Sequence, residues 1–300
     1  MVESVTERIL ARMRSMRNLL TLLVCGCALL TGCSMRMFFR VDSVAVDSQL
    51  RLLLGGGGNS FVFLHRGGAF ISDPKFAMHA KNMRAALRDT QHVDIERMLL
   101  THSHADHVGG LPLYQDLGAV IVHPNTRKRL EAEGLKAPWV NVEQTIQLTL
   151  GGETIRILYA GRGHTDGDLV ALFEKRKLLV AGDLISENFE PEAVLNVGGS
   201  LLDLRTTLQS LLSLDFDTVL PGHGNPFPRQ HVEEVIAYLA AMESEVRRLK
   251  AAGVQVHEMA AQVNLESFPK WDPIPAIASR ERNIEQLAVE IDALEKVTPR

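Results

Sequence analysis

From residue 49 onward the apolar positions fall in short runs bounded by glycine, asparagine and aspartate, the pattern of strands and tight turns. Residues 49–54 and 60–64 are two such runs. Gly55-Gly56-Gly57-Gly58-Asn59 parts them and predicts a β-hairpin, with residues 34–48 as a tether and leading strand. Further strands are predicted at 69–72, 97–100, 119–122, 145–150, 153–159, 169–173, 177–181 and 218–220. A helical period predicts helices at 78–89, from near Val108 to before Gly118, and at 125–133, 202–214 and 229–251. Beyond Gly253, Ile277, Ile284, Leu287, Ile291 and Leu294 share a face. They predict a helix packed on the domain, with a dimer-forming seam as the alternative, after a linker at residues 271–275. Strands that first meander and then alternate with helices predict an α/β (α+β) domain with mixed sheets. The expected limits are a leader at 1–32, a tether at 33–48, the main domain at 49–252 and a helical extension at 253–300.

The amino terminus reads differently. Arg8, Arg12, Arg14 and Arg17 precede an apolar stretch at 19–30, which is short of the ~20 residues a membrane span needs. Leu30-Thr31-Gly32-Cys33 follows and resembles the lipobox of bacterial lipoproteins. The resemblance implies a signal peptide at 1–32, acylation of Cys33, and export. Ser34 after the cysteine fits an outer-membrane anchor facing the periplasm. Met13 and Met16 are alternative starts. Losing residues 1–32, with four Arg and two Glu, takes the net charge from −4 to −6.

Composition narrows the function. The chain of 300 residues is 46% apolar and 23% charged, globular values that exclude a disordered protein. Its acidic balance and 5% aromatic content argue against a nucleic-acid partner. The three cysteines, Cys25, Cys27 and Cys33, all precede the domain, so a disulfide framework and a thiolate zinc module are both excluded. A strand pattern, not a helix, follows the tetraglycine, so it offers no helix N-terminus to a phosphate.

The chemistry sits in Thr101-His102-Ser103-His104-Ala105-Asp106-His107, directly after a buried-type strand. Imidazoles two apart in an extended segment point the same way. Imidazole and carboxylate together suit borderline divalent cations, zinc above all. Three more candidates recur at strand ends in glycine-flanked turns: His164 in Gly161-Arg162-Gly163-His164-Thr165, Asp183 in Ala181-Gly182-Asp183, and His223 in Pro221-Gly222-His223-Gly224. His123, beside Pro124 after a strand, is read as an ordinary surface histidine, with a place in the pocket wall as the alternative. His65, His79, His92, His231 and His257 lack motif context.

The HxHxDH stretch, with the later His, Asp and His in order, resembles the metallo-β-lactamase fold superfamily over about residues 49–226. The resemblance implies a four-layer αβ/βα sandwich with a dinuclear site at one edge, holding two Zn2+ or alternatively iron or manganese. It implies that His102, His104 and His164 hold one metal, that Asp106, His107 and His223 hold the other, and that Asp183 bridges them. Asp73 would support the site from behind, although the family's Asp-Thr-Gly is Asp73-Pro74-Lys75 here. Asp106 would also orient a metal-bridging hydroxide and shuttle a proton. The implied activity is hydrolysis of an ester, thioester, lactone or related bond in a small molecule. The alternatives are a persulfide dioxygenase-like iron oxidoreductase and a β-lactam-hydrolysing enzyme. A carboxylate at Asp183 resembles the glyoxalase II-like and lactonase-like branches and argues against β-lactams as the main substrate. Residues 164–168 and 198–200 resemble periplasmic hydrolase-like members, and residues 186–199 are expected to shape the pocket.

Overall fold

A computed structural model describes residues 40–80, 83, 94–114, 117–274 and 278–297. The leader, with Cys33, lies outside the described residues, as does His92.

The first sheet has seven strands in chain order: β1 (Asp42–Ala45), β2 (Leu50–Leu54), β3 (Ser60–His65), β4 (Gly68–Ser72), β5 (Ile95–Leu99), β6 (Ala119–Val122) and β7 (Trp139–Asn141). β1 to β4 run antiparallel, and β4 to β7 run parallel. The second sheet has the order β13-β12-β11-β10-β9-β8. Its strands are β8 (Thr145–Leu150), β9 (Glu153–Tyr159), β10 (Leu169–Phe173), β11 (Leu178–Gly182), β12 (Thr218–Pro221) and β13 (Phe227–Pro228). Only β11 and β12 pair in parallel there.

Alternation along each strand makes the layers. Phe61, Phe63, Phe70, Ile155, Ile157, Ala171, Phe173 and Val180 point into a core between the sheets. Phe61 packs edge-on against Phe70 and Phe173, each at 5.0 Å. The intervening residues point outward. Val62, Ile71, Met98 and Val120 meet Ala80, Met83 and Leu130, the last of these in α2 (Pro124–Ala132). Val170, Leu172 and Leu179 share a core with α3 (Leu201–Leu211), α4 (Gln230–Ala251), the short α5 (Val256–Met259) and α6 (Arg280–Val297). A period of two with both faces apolar places helices on both sides. The expected four-layer sandwich of two mixed sheets is therefore the fold.

Several local expectations change. The helix expected from near Val108 is instead a four-residue turn, α1 (Ala105–Val108), that begins inside the histidine motif, followed by a 3-10 turn at Leu111–Leu113. Gly109 and Gly110 sit where a Cβ would lie 2.5 Å from Ala105 O and 2.3 Å from Pro74 O. That close backbone approach, with Pro112 after it, breaks the helix. The 78–89 helix is described only at 77–80 and 83; the rest lies outside the described residues. β7 and β13 were not expected, being two or three residues long. The supposed linker is docked: Trp271 is buried with its ring 4.4 Å from that of Tyr238, and Asp272 bridges to Phe189. On α6, Ile284, Leu287 and Ile291 are buried, whereas Leu294 is exposed; Ile277 lies outside the described residues.

Candidate metal centre

All the candidate ligands lie just past strand ends along one rim of the sandwich. Asp73 follows β4, the 102–107 motif follows β5, and His164 sits in the β9–β10 loop. Asp183 follows β11 and His223 follows β12. Two close approaches lock these loops together. Gly58 N donates to Asp106 O at 3.0 Å, and Asn59 N donates to Gly222 O at 2.7 Å. A Cβ at Gly58 would lie 2.1–2.4 Å from three atoms of the His107 ring. The tetraglycine is therefore a spacer against the histidine motif.

The seven side chains separate into two groups, each with atoms within 4.8 Å of one another: His102, His104, His164 and Asp183, and then Asp106, His107 and His223. Asp183 reaches both. Its Oδ2 is 3.6 Å from His102 Nε2, 3.5 Å from His164 Nε2 and 3.4 Å from His223 Nε2. Its Oδ1 is 3.1 Å from His107 Nε2. Asp106 Oδ2 faces His223 Nε2 at 3.1 Å and His107 Nε2 at 3.7 Å.

The donor set fits divalent cations. His102 Nε2, His107 Nε2 and Asp183 Oδ1 are buried without a well-directed hydrogen bond, although the last two atoms are close. His164 Nε2 and His104 Nδ1 are 2.9 Å apart. Lone pairs of neutral imidazoles at that distance repel unless a proton or a cation lies between them. Convergent, unpaired imidazole and carboxylate atoms in a dry site are what zinc-type ions bind.

The charges agree. Burial, with the His107 charge next in effect, pushes His102 well below its ordinary value, and burial takes His164 down to about 4. Both are neutral imidazoles, ready to donate lone pairs. His107 and His223 are buried too, but Asp183 and Asp106 overcome burial. They lift His107 well above its ordinary value and His223 to about 9. Burial opposes the Asp106 carboxylate, yet His107 and His223 hold it at about 2. A cation entering the second group would displace protons from His107 and His223.

The surrounding hydrogen bonds orient the ligands. Asp73 is buried with φ +39°; it accepts from Thr101 N and Thr101 Oγ1, both at 2.8 Å, and from His107 Nδ1 at 3.0 Å. His164 Nδ1 donates to Glu192 O at 3.2 Å, leaving Nε2 for the cluster. Asp168, pushed up to about 7 by burial, accepts from Thr165 N at 2.8 Å and Thr165 Oγ1 at 2.5 Å.

Some functional residues lay beyond the motifs. Lys75 is fully buried, and its Nζ donates to Leu53 O at 3.0 Å and to Gly55 O and Gly58 O at 2.7 Å each. It clasps the glycine turn, which accounts for the Pro-Lys departure. Burial pushes it down to about 7 against the pull of Asp73 and Asp106. The Glu192 carboxyl, pushed up to about 8 by burial and by Asp183, also belongs to this neighbourhood. Glu192 falls within residues 186–199, the segment expected to shape the pocket, whereas no sequence pattern marked Lys75. His123 is not a surface residue: it is buried, stacks on Tyr159 at 4.3 Å, and caps α2 by accepting from Asn125 N at 3.2 Å. His65 pairs with Glu96, and His231 with Glu234, away from the cluster.

A four-layer sandwich with two adjoining His/Asp clusters on one rim defines a metal-binding αβ/βα protein. Residues 53–223 match the metallo-beta-lactamase superfamily, and the chain belongs to it. A hydroxyacylglutathione hydrolase of Acidiphilium cryptum is 32% identical over 173 residues, covering 53% of this chain and 64% of that protein. A type 2 metallo-beta-lactamase of Bacillus sp. (strain 170) is 25% identical over 132 residues, 42% of this chain. The chain spans about half the length of that enzyme and of its Bacillus cereus counterpart, 51% of each. Among solved structures, the sec-alkylsulfatase Pisa1 from Pseudomonas sp. superposes with a TM-score of 0.70 at 15% identity, over 84% of this chain and 50% of that one. A metallo-beta-lactamase from Pontibacter korlensis gives 0.60 at 16% identity, over 67% of this chain and 99% of that one.

Proposed function

We propose that the protein is a metal-dependent hydrolase with a dinuclear, zinc-type centre, acting on an ester, thioester, lactone or related bond of a small molecule. One observation carries the reading: Asp183 contacts both ligand groups, through Oδ1 to His107 and Oδ2 to His102, His164 and His223. His102, His104 and His164 would hold one ion, Asp106, His107 and His223 the other, and Asp183 both. When bound, such a pair supplies Lewis acidity and a water acidic enough to act as nucleophile near neutral pH. Asp106 is the most exposed of the carboxylates, with 21% of its side chain open against 8% for Asp183. It is the group placed to hold and pass a proton at Oδ2. No cysteine lies in the domain, which excludes a thiol nucleophile and is compatible with attack by an activated water. The likeness to a hydroxyacylglutathione hydrolase supports the thioester side of the class. The Bacillus likeness supports β-lactams as a second substrate class to be assayed. Acylation at Cys33 would tether the enzyme to a membrane outside the cytoplasm.

The test is metal content and turnover. The purified protein is expected to carry about two zinc ions per chain and to lose hydrolysis of thioesters, lactones or aryl esters on chelation. Asp183→Ala and His107→Ala are expected to abolish turnover with the fold retained. Full activity in either variant, or after exhaustive chelation, would refute the assignment.

A further inference from the structure

The carboxy-terminal helix α6 carries two rows of contacts. Ile284, Leu287, Ala288 and Ile291 are buried in the cluster shared with α3 and α4. A second row, Asn283, Gln286 and Glu290, is spaced three and four residues apart and so lies along one side of the helix. Each member reaches a different part of the segment at residues 191–202. Asn283 Nδ2 donates to Pro191 O at 2.8 Å, and Gln286 Nε2 donates to Ala193 O at 3.1 Å. Glu290 accepts from Ser200 Oγ at 2.8 Å and from Leu201 N and Leu202 N at 3.1 Å each. Its carboxylate thus satisfies N–H groups that α3 leaves unpaired at its start.

The same segment grips the His164 loop from its other edge. His164 Nδ1 donates to Glu192 O at 3.2 Å, and Val194 N donates to His164 O at 2.8 Å. Ser200 N donates to Gly163 O at 2.9 Å, and Asp166 N to Val197 O at 3.1 Å. Residues 191 and 193 are therefore tied to α6 while residues 192 and 194 are tied to His164. A carbonyl only accepts, so Glu192 O fixes the proton on Nδ1 and the ring's rotation about Cβ–Cγ, which aims Nε2 at the cluster. Glu192 O is itself held in place only as firmly as its neighbours at 191 and 193.

We infer that Asn283, Gln286 and Glu290 are positioning residues for His164, so that the helical extension sets the metal affinity of the His102–His104–His164 group. This rests on the reading of that group as a metal site. Direct partners of metal-ligating histidines typically change affinity about 10–100-fold, and a partner one step further out is expected at the low end, about tenfold.

The test compares three full-length proteins, each titrated with zinc against a chromophoric chelator to obtain the two stepwise affinities. They are the wild type, Asn283→Leu/Gln286→Leu, and Lys250→Met as a control. Lys250, on α4, pairs with Asp292 and donates to Ala288 O, both on α6, so its bonds to that helix are made apart from the row that holds residues 191–202. The double variant is expected to weaken one stepwise affinity about tenfold and to spare the other, and its Co2+-loaded spectrum should change in the bands of one ion only. Lys250→Met is expected to lower Tm without moving either affinity. Should the double variant not fold, Gln286→Ala is read by the same criteria. Unchanged affinities in a folded variant, or an equal loss at both ions and in Lys250→Met, would overturn the inference while leaving the metal reading intact. A wild type that takes up no zinc would remove that reading and the inference with it.

Discussion

His107 and Asp73 are both buried, and His107 Nδ1 donates to Asp73 Oδ2 at 3.0 Å from a ring whose other nitrogen faces Asp183 at 3.1 Å. The carboxylate fixes both the tautomer and the rotation of the imidazole. It also accepts from Thr101 N, directly before the first histidine of the motif. Asp73→Ala is expected to weaken metal binding about 10–100-fold. It should also cost about 2–4 kcal/mol of stability, since Thr101 N–H and His107 Nδ1–H lose their acceptor in a dry site. Zinc titration and urea unfolding measure the two effects; wild-type affinity in the variant would refute the role.

Gly58 is needed for space. Its hypothetical Cβ falls 2.1 Å from His107 Cε1, and that ring is fully buried and held from behind by Asp73. Overpacking of this kind typically costs about 1–3 kcal/mol. Gly58→Ala is expected to displace the ring and lower bound zinc from about two ions to about one. Retention of both ions at wild-type stability would contradict the packing.

Lys75 stands where the resemblance expects glycine, and its Nζ lies against three carbonyls, those of Leu53, Gly55 and Gly58. Lys75→Met keeps the bulk of the stem and removes the donors. A loss of about 2–4 kcal/mol is expected, from carbonyls left unpaired in the interior. Faster hydrogen exchange should appear at Gly58, whose N–H donates to Asp106 O. Unaltered exchange there would show that the turn holds without its clasp.

Asp168 makes stability depend on pH. Burial raises its folded pKa to about 7 from an ordinary 3.8, with Asp183 and Asp166 adding to the rise and the Thr165 hydrogen bonds opposing it. The folded protein thus binds the proton more tightly than the unfolded chain does, so stability contributed by this group declines as pH rises from about 4 to about 7. In metal-free protein, the Tm of the wild type relative to Asp168→Asn is expected to fall over that window. A difference independent of pH would exclude the raised pKa.

How much of this was legible in the residues follows from the range of the forces involved. The strands at 60–64, 169–173 and 218–220 were readable because short continuous apolar runs between turn residues are written locally. The candidate ligands were readable because His102, His104, Asp106 and His107 sit together and because His164, Asp183 and His223 each follow a strand in a glycine-flanked turn. The helix expected from Val108 failed because its local pattern was overridden by a contact with Pro74, more than thirty residues away in the chain.

By itself the sequence predicted mixed sheets flanked by helices and marked the seven candidate side chains, since strand runs and glycine-flanked turns are written locally; the four-layer order and the division of the side chains between two ions came from the resemblance to the metallo-β-lactamase fold. The tertiary structure alone decided that Asp183 faces both groups, that Lys75 lies beneath the glycine turn, and that Asn283, Gln286 and Glu290 brace residues 191–202. Those relations join residues as much as 93 positions apart. Their geometry depends on the packing of whole sheets and helices, and nothing in the neighbouring residues encodes it.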